Sequence, residues 1–140
     1  MPVRYLLDTN IASYAITGNA PHIRERLLRL PMSEVGISVI SEAQLRFGVL
    51  RHPKDSRKLA SLKLAVEEFL LRVEILPWDS KAAQQYGALR KTVEDSGTPM
   101  ANLDMMIAAH ALAAECTLVT HDRVFHRVKH LKLEDWTKSD

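Results

Sequence analysis

The sequence reads VRYLLDTN at residues 3–10, a short apolar run that ends at an acidic residue, Asp8, and continues into turn-forming residues. Runs of this length with such flanks are typical of buried strands. Similar runs at 35–39, 73–76 and 117–120 alternate with segments of helical periodicity. This alternation predicts an α/β fold whose central sheet is parallel and covered by helices on both faces.

The helical segments that separate these strands have recognisable ends. Helices are expected at about 11–16, at 22–30 after Pro21, from Ser38 or Ser41 through Val49, at 56–72, from Asp79 or Ser80 through Val93, at 102–115 and, as one short turn, at 123–125. Ser38 or Ser41, Asp79 or Ser80, and Asn102 are the expected N-caps. The second helix is expected to bury Ile23, Leu27, Leu28 and Leu30. Residues 52–55 are expected to form a loop and 131–133 a final edge strand.

Length and composition predict a single globular domain over residues 1–140. The 15.8 kDa chain has 46% apolar and 26% charged residues, which is ordinary for a globular protein. Neither a signal segment nor an apolar run of membrane-spanning length is recognisable, so we expect a soluble, cytoplasmic protein. The net charge of +2 is compatible with a polyanionic substrate. Cys116, the one cysteine, is expected to be a buried structural thiol.

Three acidic residues follow or face strand ends in this pattern. Asp8 closes the first strand, Asp122 follows the strand at 117–120, and Asp104 lies near the start of a helix. The carboxyl ends of parallel strands meet at one edge of a sheet, where such folds place their sites. Carboxylates crowded there repel one another unless a cation lies between them, and hard oxygen ligands favour Mg²⁺ or Mn²⁺.

Each carboxylate also has a structural interpretation, and both interpretations stay open. Asp8 and Asp122 could cap the helical segments that follow them, and Asp104 could simply be stabilised by a helix dipole. Asn10 and Thr120 are placed to orient ligands or water, or to serve as structural polar residues. His110 is expected to be packed and hydrogen-bonded, not a metal ligand.

The motifs together give the chain a family resemblance that runs essentially from end to end. Residues 6–11 (LLDTNI) resemble the first motif of PIN-domain ribonucleases, in particular the VapC toxins of bacterial toxin–antitoxin pairs. Residues 97–99 (GTP) with 104–111 (DMMIAAHA) resemble the third motif, and 118–136 resemble the C-terminal signature. The resemblance implies a compact PIN-like α/β/α domain with a parallel sheet of about four to five strands.

The same resemblance implies an activity and partners. We expect Mg²⁺-dependent (or Mn²⁺-dependent) endoribonuclease cleavage of RNA phosphodiesters by metal-activated water. Asp8, Asp104 and Asp122 match three of the family's four acidic positions as catalytic residues and metal ligands. A small VapB-like antitoxin is expected to inhibit the enzyme by lying over its groove, and a homodimer or a higher toxin–antitoxin assembly is favoured. Apolar residues in 59–70 and 82–93, with Ala83 and Gly87, are candidates for the dimer interface.

The fourth acidic position departs from the family pattern, because residues 43–48 read AQLRFG and place Gln44 where the family has Glu. Gln keeps an acceptor oxygen but carries no charge. Glu42 lies about 200° away on a helix and cannot substitute. Two explanations are open: a tolerated natural residue or an inactivating substitution. The first alternative function is therefore a disarmed PIN-domain binding module that retains antitoxin binding.

A phosphoryl-transfer domain with Asp8 as nucleophile is a further alternative. Haloacid-dehalogenase-like enzymes need a second Asp where this chain has Asn10, and the acidic pair and lysine of response-regulator receivers are not recognisable. Among the basic residues, Arg24, Arg26, Arg46, Arg51 and Arg123 are candidates for phosphate contacts.

Overall fold

The computed structural model describes residues 2–52 and 57–139, and a five-stranded sheet lies at its centre. The strands are β1 (Tyr5–Leu7), β2 (Val35–Ser38), β3 (Glu74–Leu76), β4 (Thr117–Val119) and β5 (Leu133–Glu134). All pairs are parallel, and the order β3-β2-β1-β4-β5 makes β1 the central strand. The predicted α/β class and the parallel sheet are confirmed.

The described part of the chain has six α-helices and two 3-10 segments. The helices are α1 (Thr9–Thr17), α2 (Pro21–Leu28), α3 (Val39–Leu50), α4 (Arg57–Arg72), α5 (Ser80–Ser96) and α6 (Asn102–Ala114), and the 3-10 segments are Met32–Glu34 and Arg123–Arg127. Of the predicted loop at 52–55, residues 53–55 lie outside the described residues, as does Ser56, the predicted start of the fourth helix. None of the described helices combines the length and apolar content needed to cross a membrane.

The two faces of the sheet are covered by different helices, because successive residues of a strand point to opposite faces. Leu7 packs on one side in a cluster with Ile11 of α1 and Val66 of α4. Leu6 packs on the other side with Ile107 of α6. Leu6 and Leu7 are fully buried, and burying one such side chain contributes about 1.5–3 kcal/mol. The layers are therefore α1–α4, the sheet, and α5–α6.

The N-caps agree with the sequence at two helices and disagree at a third. Ser38 caps α3 and Asp79 caps α5, each by accepting a hydrogen bond from a backbone N–H of the first turn. The prediction that Asn102 caps α6 is wrong: Ala101 is the N-cap, without a side-chain bond. Asn102 already has a helical conformation, and its Oδ1 accepts a hydrogen bond from Tyr86 Oη at 3.3 Å.

Two further expectations need correction. Leu28 does not join the buried face of α2; its side chain is 87% exposed, because it lies about 100° round the helix from the half-buried Leu27. The edge strand expected at 131–133 is Leu133–Glu134, since Leu133 is the first of these residues to pair with β4. That residues 1–140 form one domain stays a prediction.

The thiol of Cys116 is buried between α6 and β4, as predicted for a structural residue. Its Sγ donates to the carbonyl of Val3 at 3.3 Å. Burial raises the pKa of the Cys116 thiol. The thiolate is the nucleophilic form of cysteine, so a raised pKa makes this thiol unreactive at neutral pH.

The loop between α5 and α6 is bonded to the 3-10 segment that follows β4. Arg127 Nη1 donates to the carbonyl of Pro99 at 2.8 Å, and Nη2 donates to the carbonyl of Thr98 at 2.5 Å. Hydrogen bonds from a guanidinium are charge-assisted and stronger than neutral ones. The start of α6 and the segment after β4 are thus connected by one side chain.

Candidate active site

Asp8 lies at the carboxyl end of the central strand and is only 6% exposed. Its Oδ1 accepts a hydrogen bond from the backbone N–H of Ile11 at 2.8 Å, so Asp8 is the N-cap of α1. Its Oδ2 accepts a hydrogen bond from the hydroxyl of Thr120. The capping interpretation of Asp8 is confirmed, and the carboxylate is held in one orientation by donors from two parts of the chain.

Thr120 connects Asp8 to the segment that carries Asp122. The buried Thr120 hydroxyl donates to Asp8 and accepts from the backbone N–H of Asp122 at 3.0 Å. Asp122 is exposed and caps the 3-10 segment, with its Oδ1 accepting from the backbone N–H of Val124 at 2.9 Å. Because β4 is the neighbour of β1, these residues lie at the same edge of the sheet.

Asp104 approaches the same region from the first turn of α6, where the helix dipole favours a negative charge. The side chain is half-buried. Burial raises the pKa of Asp104 above its ordinary value of 3.8, and the charge of Asp122 raises it further. A carboxylate here is therefore less stable than in water, in spite of the helix dipole.

The charges of the three carboxylates act on one another most clearly at Asp8. Burial is the largest cause that raises the pKa of Asp8, and the charges of Asp122 and Asp104 add to it. The hydrogen bonds from Thr120 and from Ile11 N–H oppose the rise without cancelling it. The net result is a destabilised buried anion, which is the environment in which a cation is favourable.

A divalent metal ion fits the chemistry of this donor set, since Asp8, Asp104 and Asp122 offer only hard oxygen atoms. Within residues 2–52 and 57–139, however, no three His, Cys, Asp or Glu side chains are placed so that together they could hold a metal ion. Mg²⁺ keeps several water molecules and needs only one or two protein carboxylates. The arrangement therefore suits an ion held partly through water.

Gln44 contacts the residue that follows Asp8, which the sequence did not predict. Gln44 Oε1 accepts a hydrogen bond from the hydroxyl of Thr9, the residue after Asp8. The same hydroxyl lies 2.9 Å from the hydroxyl of Ser41, which is fully buried. Thr9 and Ser41 were not predicted as site residues, because the contact joins α1 to α3 across more than 30 residues of sequence; the position of Thr9 next to Asp8 was the available signal.

His110 is buried and hydrogen-bonded, as predicted. Its Nδ1 lies 2.7 Å from Ser38 Oγ, which accepts from the backbone N–H of Ile40 and so has its own proton free to donate. Burial lowers the pKa of His110, against the opposing effects of the Asp79 charge and a hydrogen bond with the backbone of Pro77. The ring is therefore neutral and structural, and it connects β2 to α6.

The remaining polar candidates differ in their exposure and in whether their side chains already have a bonding partner in the protein. Asn10 is exposed and makes no side-chain hydrogen bond within the described residues. Arg123, which follows Asp122 and is three residues after Thr120, is also exposed and has no ion pair in the part of the chain that the structure describes. The other arginines considered for phosphate contact have partners in the protein: Arg24 on the carbonyls of Ala15 and Ile16, Arg26 on Glu134, Arg46 on Glu42 and Glu67, and Arg51 over the ring of Phe47.

Comparison with known proteins identifies the family, since the PIN-domain profile matches residues 5–131. The chain belongs to the PIN-domain family. It is 37% identical over 136 residues to Ribonuclease VapC2 of Rickettsia felis, covering 96% of this chain and 98% of that protein. It is 36% identical over 135 residues to the tRNA(fMet)-specific endonuclease VapC of Salmonella typhimurium, again covering 96% of this chain and 98% of the relative.

The fold comparison agrees with this membership. The crystal structure of VapBC2 from Rickettsia felis, bound to a DNA fragment from their promoter, superposes with a TM-score of 0.85 and 36% identity over 96% of this chain and 99% of the other. The family resemblance inferred from the motifs is thus confirmed over nearly the whole chain, at the level of VapC ribonucleases. Ribonucleases with a PIN domain generally depend on a divalent metal ion.

Proposed function

We propose that this chain is a metal-dependent endoribonuclease toxin of the VapC type. The observation that carries the proposal is the carboxylate of Asp8 at the end of the central strand, which is destabilised chiefly by its burial and further by the charges of Asp122 and Asp104. Membership of the family of VapC ribonucleases supports RNA as the substrate. The action would take place in the cytoplasm, where RNA and an antitoxin are both present.

In this proposal Asp8, Asp104 and Asp122 hold Mg²⁺ or Mn²⁺. When bound, the ion would polarise the scissile phosphate and lower the pKa of an attacking water molecule. Thr120 keeps the Asp8 carboxylate in one orientation, and Asn10 is free to orient water or a phosphate oxygen. Arg123 supplies a positive charge for the RNA backbone on the exposed side of the site.

The decisive experiment is cleavage of RNA by the purified protein in Mg²⁺ and in EDTA, with Asp8→Asn and Asp104→Asn as variants. Because one relative is named a tRNA(fMet)-specific endonuclease, tRNA(fMet) is the first structured substrate to offer, beside a single-stranded RNA. We expect cleavage only in Mg²⁺, and loss of cleavage in both variants while thermal unfolding stays cooperative. Full activity of either variant would show that the assignment is wrong.

The second candidate function is a disarmed binding module, and Gln44 is the observation that favours it. A neutral side chain at the family's acidic position removes one negative charge from the metal-binding region. Assaying Gln44→Glu beside the unchanged chain separates the candidates. Cleavage by the unchanged chain supports the enzyme, cleavage only by Gln44→Glu supports a disarmed nuclease, and no cleavage by either supports the binding module.

The partner in this proposal is a VapB-like antitoxin, and an apolar groove between α1, α2 and α4 offers it a surface. Leu27, Met32 and Phe69 line the groove, and the 87% exposed Leu28 stands at its edge. Leu28→Lys is expected to weaken co-purification with the co-expressed antitoxin, whereas Leu50→Lys, at a leucine that is 80% exposed elsewhere, is the matched control. Equal retention of the antitoxin by both variants would remove this groove from the interface.

A homodimer is also part of the proposal. On α5 the small residues Ala83 and Gly87 are exposed, and on α4 the side chains of Leu64 and Leu71 are 62% and 86% exposed. The exposed leucines of α4 and the small residues of α5 lie in opposite layers of the fold, and each set is a candidate surface for a contact between two copies. Sedimentation of the purified chain tests this expectation, and a monomer at all concentrations would contradict it.

A further inference from the structure

The hydroxyls of Thr9 and Ser41 determine the orientation of the Gln44 amide group. Thr9 Oγ1 contacts both Gln44 and Ser41, and it has a single proton to donate. Ser41 is fully buried in α3, and Thr9 is its side-chain hydrogen-bond partner in the described structure. The direction of these two bonds therefore decides which end of the Gln44 amide faces Thr9.

Only one direction satisfies every buried proton. If Thr9 donated to Ser41, the proton of the Ser41 hydroxyl would be buried without an acceptor, which is unfavourable. If Ser41 donates to Thr9, the Thr9 proton is free for Gln44, and Gln44 presents Oε1 to it. This second arrangement leaves the Nε2 amide group of the half-buried Gln44 directed away from Thr9, as a donor without a partner in the described residues.

We propose that Gln44 contacts a phosphate oxygen of the RNA through its Nε2 amide group and is not a metal ligand. A cation is repelled by N–H donors, whereas a phosphate oxygen accepts from them. The position that carries a cation-binding carboxylate in the family thus becomes a neutral substrate contact in this chain. The inference rests on the proposed function, because it takes RNA as the ligand of the site.

A neutral contact has a property that a charged contact lacks. Loss of a Lys or Arg that neutralises a phosphate flattens the dependence of RNA affinity on salt concentration. Loss of the Gln44 amide removes a hydrogen bond to a charged group and no counterion-releasing charge. Affinity should therefore fall by about tenfold while the salt dependence keeps its slope.

The experiment measures RNA binding and metal binding separately. Anisotropy of a fluorescein-labelled single-stranded RNA is followed in EDTA over a series of KCl concentrations, and the thermal midpoint is followed with increasing Mn²⁺ in the absence of RNA. The variants are Gln44→Met, which keeps the length of the side chain without its amide, and Gln44→Glu. Gln84→Met, at an exposed glutamine of α5, is the matched control.

For Gln44→Met we expect about tenfold weaker RNA binding with an unchanged salt slope, and an Mn²⁺ response like that of the unchanged chain. For Gln44→Glu we expect weaker RNA binding and a larger Mn²⁺ response. Gln84→Met should change neither quantity. In a second pair of variants, Thr9→Ser should keep the RNA affinity and Thr9→Val should lower it, because only serine can hold the amide orientation.

Each result has a distinct meaning. This inference would be overturned if Gln44→Met kept its RNA affinity, or if its Mn²⁺ response were reduced as strongly as that of Asp8→Asn. The proposed ribonuclease activity would still be supported in that case if the unchanged chain cleaves RNA. A chain that neither binds nor cleaves RNA would overturn both. A flattened salt slope in Gln44→Met would also count against a neutral contact.

Discussion

Replacing Thr120 by Val removes the hydroxyl that connects two of the carboxylate segments. Val has nearly the shape of Thr, so the substitution opens no cavity at this buried position. Two hydrogen bonds are lost: the one donated to Asp8 and the one accepted from the backbone N–H of Asp122. Thr120→Ser keeps the hydroxyl and is the matched control.

The expected cost follows from the two bonds. A hydrogen bond to a buried charged group contributes about 1.5–3 kcal/mol, and a neutral one about 0.5–1.5 kcal/mol. The second loss is partly compensated by water, because Asp122 is exposed, and the added methyl group recovers up to about 0.8 kcal/mol. We expect a net loss of about 2–3 kcal/mol in the free energy of unfolding, or about 6–12 °C in Tm for a chain of this size.

The substitution should also change how metal binding depends on pH. The Thr120 bond lowers the pKa of Asp8, so its loss raises that pKa further and lets protons compete with the metal up to a higher pH. Thermal unfolding in EDTA and in Mn²⁺, at several pH values, measures both effects. If Thr120→Val in EDTA is as stable as Thr120→Ser, the Thr120 hydroxyl does not hold the Asp8 carboxylate in place.

Three other predictions follow from the same contacts. Ser38→Ala should lower the free energy of unfolding in urea by about 2–4 kcal/mol, of which about 1 kcal/mol comes from the lost α3 cap and the rest from the unpaired Nδ1 of His110. In a His110→Leu background the loss should shrink to the contribution of the cap. The raised pKa values of Asp8 and Asp104 mean that the metal-free folded state binds protons more tightly than the unfolded state, so its stability should fall as pH rises from about 3.8 through the raised values. In EDTA a D8N/D104N double variant should lack this part of the fall, whereas a pH profile identical to that of the unchanged chain would contradict the pKa directions. Gly36→Ala should cost about 1–3 kcal/mol in thermal unfolding, because its Cβ would lie 2.9 Å from a backbone carbonyl of β3, and a neutral result would mean that the two strands can separate locally.

The strands and their parallel arrangement were predictable because local patterns encode them. Short apolar runs such as residues 5–7 are buried on both sides, and turn-forming residues such as Gly18, which has a positive φ of 79°, end the helices. The ends of elements were less predictable: Asn102 has the side chain of a cap, but the chain enters the helix one residue earlier. Local propensity does not determine where the tertiary path places that first helical residue.

The candidate site likewise has a part that the sequence predicts and a part that it does not. The positions of Asp8, Asp104 and Asp122 at one edge follow from the parallel topology, which the sequence pattern indicates. The bond between Thr120 and Asp8 joins residues 112 apart in sequence, and the one between Thr9 and Gln44 joins residues 35 apart. Such contacts depend on which strands are neighbours and on the rotation of α3, neither of which has a local signal.

The guanidinium of Arg127 makes the loop at residues 97–101 unlike an ordinary surface loop. Exposed loops normally accept insertions and exchanges freely, since few contacts depend on their path. Here the carbonyls of Thr98 and Pro99 accept hydrogen bonds from Arg127, in the segment that follows Asp122. The helix α6, which carries Asp104, begins three residues after Pro99. Lengthening this loop would thus shift two acidic side chains relative to each other, and for an engineer who grafts a tag or a peptide onto the protein it is the wrong place to choose.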